Sequence, residues 1–303
     1  MTIILLLVVL LSIVTGLNHS SVILAPSVKS GLLKKKYVIL IILIGLILGI
    51  YVEGYKLQTP IYLLIKVNLL RTKVYLVVLI STITTMLIAS ILNIPYSLSQ
   101  ALLTSLLGAS LLLNPEFPLN YTLLTITSWI ILPLISMILC FQVLRLVDKV
   151  YVKIGIFNVY VLLKILMIIS TFYISYMFSA NTLGFLHSLV IEDSILTPLL
   201  LVLAAMFGFT ILGEKISRVL GEEVVGISVM SMSSSQVITA LLTEIITQFG
   251  IPISITQTVT TGILGATLTK RLRVINKRLV VLMIIPVSYT HLRAHETEAD
   301  LVC

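Results

Sequence analysis

The chain has 303 residues, of which 58% are hydrophobic and 11% charged, and its mean hydropathy is +1.16. Soluble domains carry about a quarter charged residues, so the composition excludes a water-soluble globule; apolar runs parted by short charged connections point to an all-α integral membrane protein rather than a barrel of alternating strands. The net charge of +8 lies in those connections, where Lys and Arg set topology, so the expected partner is the lipid bilayer and not nucleic acid.

Ten apolar segments follow in order, near residues 2–17, 37–53, 74–92, 97–113, 122–144, 154–178, 195–213, 236–249, 253–268 and 279 onward. Several fall short of the roughly 20 residues a straight span needs, which predicts broken or re-entrant helices. The first has no basic leader or cleavage site and is read as a span, not a signal peptide. Asn18 and His19 follow it in GLNHSS, read as a break in the chain, and Asn181 and Thr182 follow the sixth segment in SANTLG. Lys164 and Glu244 are ionisable residues inside apolar runs, a position that defaults to a functional role, and they form a candidate pair. Cys140 and Cys303 imply neither a disulfide nor a metal set. The polar tail 288–303 resembles the read-through of a sequencing adapter. It is expected to be non-native, with the last span truncated and His291 and His295 without a metal role.

One stretch occurs twice. Residues 93–111, NIPYSLSQALLTSLLGASL, align without a gap to residues 250–268, GIPISITQTVTTGILGATL, with nine of the nineteen positions identical. A shorter echo pairs Gly54-Tyr-Lys56-Leu57 with Gly213-Glu-Lys215-Ile216. Duplication accounts for both. It divides the chain into an N-terminal repeat, 1–148, and a C-terminal repeat, 149–287. Five segments per repeat is an odd number, so the second copy enters the membrane the other way up, as in many secondary transporters. Alternating connections carry 14 and 4 Lys and Arg residues. The positive-inside rule then places the first group in the cytoplasm and the N-terminus outside.

Each copy has a proline break, then hydroxyl residues and a Gln, then an apolar helix whose first amides lack intrahelical partners. A helix start of this kind is suited to an anion. Two opposed ones supply donors and positive potential without a buried Arg. The candidate substrate-binding residues are Ser97, Ser99 and Gln100 from one copy and Ser254, Thr256 and Gln257 from the other.

These residues resemble the inorganic phosphate transporter (PiT) family, which carries a duplicated G-x-N-D-x-A-N element and a duplicated G-x-P-x-S-T-[TS]-H element. Gly250, Pro252, Ser254 and Thr256 match the second element in one half, and Pro95, Ser97 and Ser99 in the other; GFTILGEKISRVLGEE at 208–223 also looks like a family segment. The resemblance spans residues 3–285 and implies that the Ser and Thr residues hold phosphate, while the first element binds sodium. Its positions here, Asn18, His19, Asn181 and Thr182, are therefore the candidate coupling-ion residues. The chain has His19 and Thr182 where the family has Asp, Val22 and Phe185 where it has the second Asn, and Gln100 and Gln257 where it has His. Hard cations favour charged oxygen ligands, so the loss of both carboxylates leaves the coupling ion open between Na+ and H+, with His19 a candidate proton carrier.

The expected function is secondary transport of inorganic phosphate, or a related oxyanion, across the cell membrane with a coupled cation and no other cofactor; a homodimer is compatible with it. Two alternatives stand beside it: a proton-coupled sulfate permease of the same fold, and a non-transporting membrane subunit or sensor. No P-loop pattern is present, and no paired carboxylates or H-E-x-x-H appears within the spans, so no enzymatic activity is expected.

Overall fold

A computed structural model describes residues 2–64, 71–91, 97–113, 118–151, 156–190, 194–212 and 228–269. Among these the chain is all-helical. Its helices are α1 (Thr2–Lys29), α2 (Lys35–Val52), α3 (Thr59–Leu64), α4 (Arg71–Ile91), α5 (Leu98–Leu113), α6 (Leu119–Tyr151), α7 (Ile156–Phe178), α8 (Gly184–His187), α9 (Leu196–Phe207), α10 (Val229–Thr247) and α11 (Ile255–Leu268). A 3₁₀ turn, Gly54–Gln58, joins α2 to α3. Wide π-helical turns, Ser179–Leu183 and Gly208–Leu212, follow α7 and α9. Among the described residues five helical stretches are long and apolar enough to cross a membrane: Ile3–Lys29, Lys35–Val52, Leu119–Val147, Phe157–His187 and Val229–Thr247. Leu6, Val77, Ile130 and Phe157 point outward and exposed, the arrangement expected where the solvent is lipid.

The apolar segments expected between residues 2 and 268 all fall on helices, but several boundaries move. The first does not end at residue 17: α1 runs through GLNHSS to Lys29, so the break expected at Asn18 is absent. Its polar residues turn back on their own helix. Thr15 Oγ1 donates to the Leu11 carbonyl, Ser20 Oγ to Leu17 and Ser27 Oγ to Ile23, which satisfies each hydroxyl without unwinding the backbone. The eighth segment starts earlier than residue 236, because Ser231, Ser233, Ser234 and Ser235 are buried in the first turns of α10. Ser228 caps that helix, accepting from the Ser231 amide. Pro95, the Gly213-Lys215 echo, the tenth segment and the tail lie outside the described residues.

Close helix contacts rest on small residues, as membrane interiors require. α2 lies on α7 through Gly49, where a Cβ would come within 2.0 Å of the Tyr176 carbonyl oxygen. α11 lies on α6 through Gly265, where a Cβ would come within 1.9 Å of the Met137 carbonyl oxygen. One core joins α1, α2, α7 and α9, and a smaller one around Leu132, Cys140, Ile238 and Ile253 joins α6, α10 and the approach to α11.

A long-range repair ties α1 to α10. Pro26 lies inside α1 and has no N–H, so the carbonyl of Val22, four residues earlier, loses its helical donor. Gln236 supplies one: its Nε2 donates to Val22 O at 2.9 Å, while its Oε1 accepts from Ser170 Oγ of α7 at 2.9 Å. One carboxamide thereby links three helices.

Candidate anion site

The second copy of the duplicated stretch begins where α10 ends. Gly250 adopts φ +65, a left-handed conformation that stops the helix and is cheap only for Gly. Pro252 then prevents it from resuming. Between them and α11 lies extended backbone within the bundle, with Gly250, Ile251, Pro252 and Ile253 all buried. Such backbone is tolerated at membrane depth only where other groups satisfy it.

Side chains from elsewhere do this. Tyr121 Oη of α6 donates to the Gly250 carbonyl at 2.9 Å, and Trp129 Nε1 of α6 donates to the Pro252 carbonyl at 2.8 Å. Asn181, in the π-helical turn, uses its whole carboxamide. Its Nδ2 donates to Ile251 O at 3.0 Å and Thr247 Oγ1 at 2.9 Å, and its Oδ1 accepts from the Ile253 amide at 3.0 Å. Two further hydroxyls hold the first turns of α11: Ser136 Oγ donates to Thr258 O at 2.8 Å, and Ser235 Oγ to Val259 O at 2.6 Å.

Ser254 stands at the end of this cage, immediately before α11. It has extended backbone and makes no side-chain cap. Its side chain is 4% exposed, and among the described residues its Oγ has no hydrogen-bond partner. Such a hydroxyl normally costs about 1–3 kcal/mol; beside free helix-start amides it is a donor held ready. Neither α5 nor α11 has an acidic residue in its first turn, so nothing there offsets the positive end of either helix dipole.

The two copies meet through their glutamines. Gln100 and Gln257, each the third residue of its helix, exchange reciprocal hydrogen bonds of 3.2 Å between Nε2 and Oε1. Each amide keeps one N–H and one acceptor lone pair. Ser97 precedes α5, its carbonyl accepting from the Ala101 amide. Ser99 is buried, and Thr256 is half-buried in the first turn of α11. Two helix starts, two hydroxyl-bearing approaches and a neutral amide pair thus converge, a set able to donate hydrogen bonds to an oxyanion.

The candidate coupling-ion residues are arranged differently. Asn18 is exposed on α1. His19, one residue on, is buried, with Nδ1 2.9 Å from the Thr15 carbonyl and its ring 4.6 Å from that of Phe178. This ring contact links α1 to the residue preceding the π-helical turn. Within that turn Asn181 is fully buried and committed to the cage, while Thr182 is buried and its Oγ1 has no hydrogen-bond partner among the described residues. Sequence reasoning missed Tyr121, Trp129 and Thr247. Trp129 is the only Trp in the chain, but no local pattern ties it to a proline 123 residues away.

Comparisons with known proteins agree on one family. The model described as "Phosphate transporter family" matches residues 15–291. A Methanocaldococcus jannaschii protein described as "Putative phosphate permease MJ0630" is 25% identical over 186 residues, 60% of this chain; the chain spans 59% of that relative's length. A solved structure described as "The sodium-dependent phosphate transporter" covers 100% of both chains with a TM-score of 0.63 and 16% sequence identity, a likeness of fold.

Proposed function

The chain belongs to the phosphate transporter family, and from that premise we propose that it is a secondary transporter that moves inorganic phosphate across the cell membrane with a coupled cation. It is a multi-pass membrane protein and not an enzyme. In this reading residues 1–148 and 149–287 are inverted repeats with the N-terminus outside, and the anion sits between them at the starts of α5 and α11. The observation that carries the reading is the reciprocal Gln100–Gln257 pair joining the two copies of one motif, with the unpartnered Ser254 hydroxyl beside it.

Mechanistically, a dehydrated anion takes its hydrogen bonds from Ser254, Thr256, Ser97, Ser99 and the free amide N–H groups of Gln100 and Gln257. The helix starts add positive potential. Access alternates as one repeat rocks against the other. Sulfate is the second reading, because the site residues include no carboxylate to accept a proton from hydrogen phosphate. Uptake of labelled phosphate and sulfate into proteoliposomes, with Na+ and H+ gradients imposed separately, tests both. Preference for sulfate overturns the first reading; transport of neither leaves the subunit or sensor role.

A further inference from the structure

Two residues singled out in the sequence take no part in the anion site: Lys56 of the short echo and Glu244 within an apolar run. The structure brings them together at one end of the bundle. Lys56 Nζ lies 3.4 Å from Glu53 and donates to Gln248 Oε1 at 2.6 Å. Gln248 Nε2 donates in turn to Glu53 Oε2 at 3.5 Å. Glu244, one turn before Gln248, accepts from Tyr173 Oη of α7, and Tyr176 stands beside both carboxylates. Lys164, the partner expected from sequence, is exposed and nine residues from Tyr173, about 13 Å along the helix. That expected pair does not form.

The charge balance of this cluster is incomplete. Two carboxylates, Glu53 and Glu244, stand with one ammonium, and Lys56 is engaged by Glu53 and Gln248, so the half-buried Glu244 at the end of α10 is held by the Tyr173 hydroxyl and not by the ammonium. Among the described residues no three His, Cys, Asp or Glu side chains group to hold a metal ion, and Lys56 repels a second cation. A proton needs only one carboxylate oxygen. Tyr173 Oη, which donates to the ionised carboxylate, can accept from the protonated one. The titratable groups around it are Tyr173 and Tyr176 of α7 and Glu53, while Tyr121 of α6 is held on the Gly250 carbonyl and His19 of α1 is turned to Phe178.

The cluster also touches the anion site. Glu244, Thr247 and Gln248 lie at the end of α10. Thr247 accepts from Asn181, which holds the segment leading to Ser254. Gly250 packs on the 3₁₀ turn and α3, where a Cβ would lie 2.5 Å from Thr59 Cβ and 2.8 Å from the Lys56 carbonyl oxygen. Glu244 therefore lies on the helix turn that leads into this backbone without itself bonding to it.

We propose that Glu244 carries the coupling proton, taking it from the compartment that supplies the anion and releasing it with the anion on the other side. This rests on the transport reading. The experiment measures labelled phosphate in proteoliposomes in two modes, accumulation driven by an imposed pH gradient and exchange at equal pH. The Glu244→Gln protein is expected to lose gradient-driven accumulation at least about tenfold while exchanging phosphate within about twofold of wild type. Tyr173→Phe keeps the carboxylate but removes its hydrogen-bond donor, so accumulation under the same imposed gradient should fall several-fold while exchange stays within about twofold of wild type. Accumulation by Glu244→Gln equal to wild type, equal loss of both modes in a folded variant, or wild-type accumulation driven by Na+ alone would overturn the proposal. If Glu244→Gln does not fold, accumulation by Tyr173→Phe equal to wild type overturns it. Absence of exchange in the wild type would instead refute phosphate transport itself.

Discussion

Ser254 and Gln257 differ in what their removal should do. The Ser254 hydroxyl has no partner among the described residues, so Ser254→Ala is expected to remove nothing the ligand-free protein uses. Its melting temperature in detergent should stay close to wild type, while phosphate affinity falls about tenfold, or about 1.4 kcal/mol. Titration of phosphate-induced thermal stabilisation measures both quantities. A large loss of ligand-free stability would mean that the hydroxyl serves packing. Gln257→Glu is a different test: the carboxylate can still accept from Gln100, but it adds a negative charge beside the anion. Phosphate-induced stabilisation should then disappear, whereas it should survive in part in Gln257→Leu.

The helices are held in place by repairs that distant side chains make. Gln236→Leu would orphan the Val22 carbonyl that Pro26 deprives of a donor, a loss of about 1–3 kcal/mol. Pro26→Ala, which restores the helical N–H, should recover most of that loss in the double variant, and thermal unfolding of the four proteins closes the cycle. Trp129 offers a second measurement. It is the sole indole in the chain and bonds to the backbone just before the site, so phosphate should change its fluorescence, and Ser254→Ala should move that response to higher phosphate concentration. These repairs also mark how far the sequence could be read. Hydropathy located the apolar helices, and duplication found the two glutamines that meet. Hydropathy failed at GLNHSS, read as a break, and at the serine run before residue 236, which it left outside the eighth segment. Inside a bundle their hydroxyls bond to neighbouring groups and the helix continues. The clamp on the segment from Gly250 to Ile253 had no local signature, because its side chains come from residues 121, 129 and 181.

For the whole molecule, the proposed inverted repeats are not equal in their packing. Gly265 is pressed against the backbone of α6, whereas its repeat counterpart, Gly108, has nothing within 4 Å of where a Cβ would stand among the described residues. Gly265→Leu should therefore abolish monodisperse expression while Gly108→Leu is tolerated, as size-exclusion profiles in detergent would reveal. The cage around the second motif limits how such a transporter can move. Tyr121, Trp129, Ser136, Asn181 and Ser235 bind the approach and first turns of α11 to α6, the π-helical turn and α10. That assembly has to travel as one piece, because no part of it can bend without stranding buried carbonyls. The seam that opens and shuts must run elsewhere, and the neutral amide handshake between Gln100 and Gln257, which can be undone without exposing a charge, is where it would part.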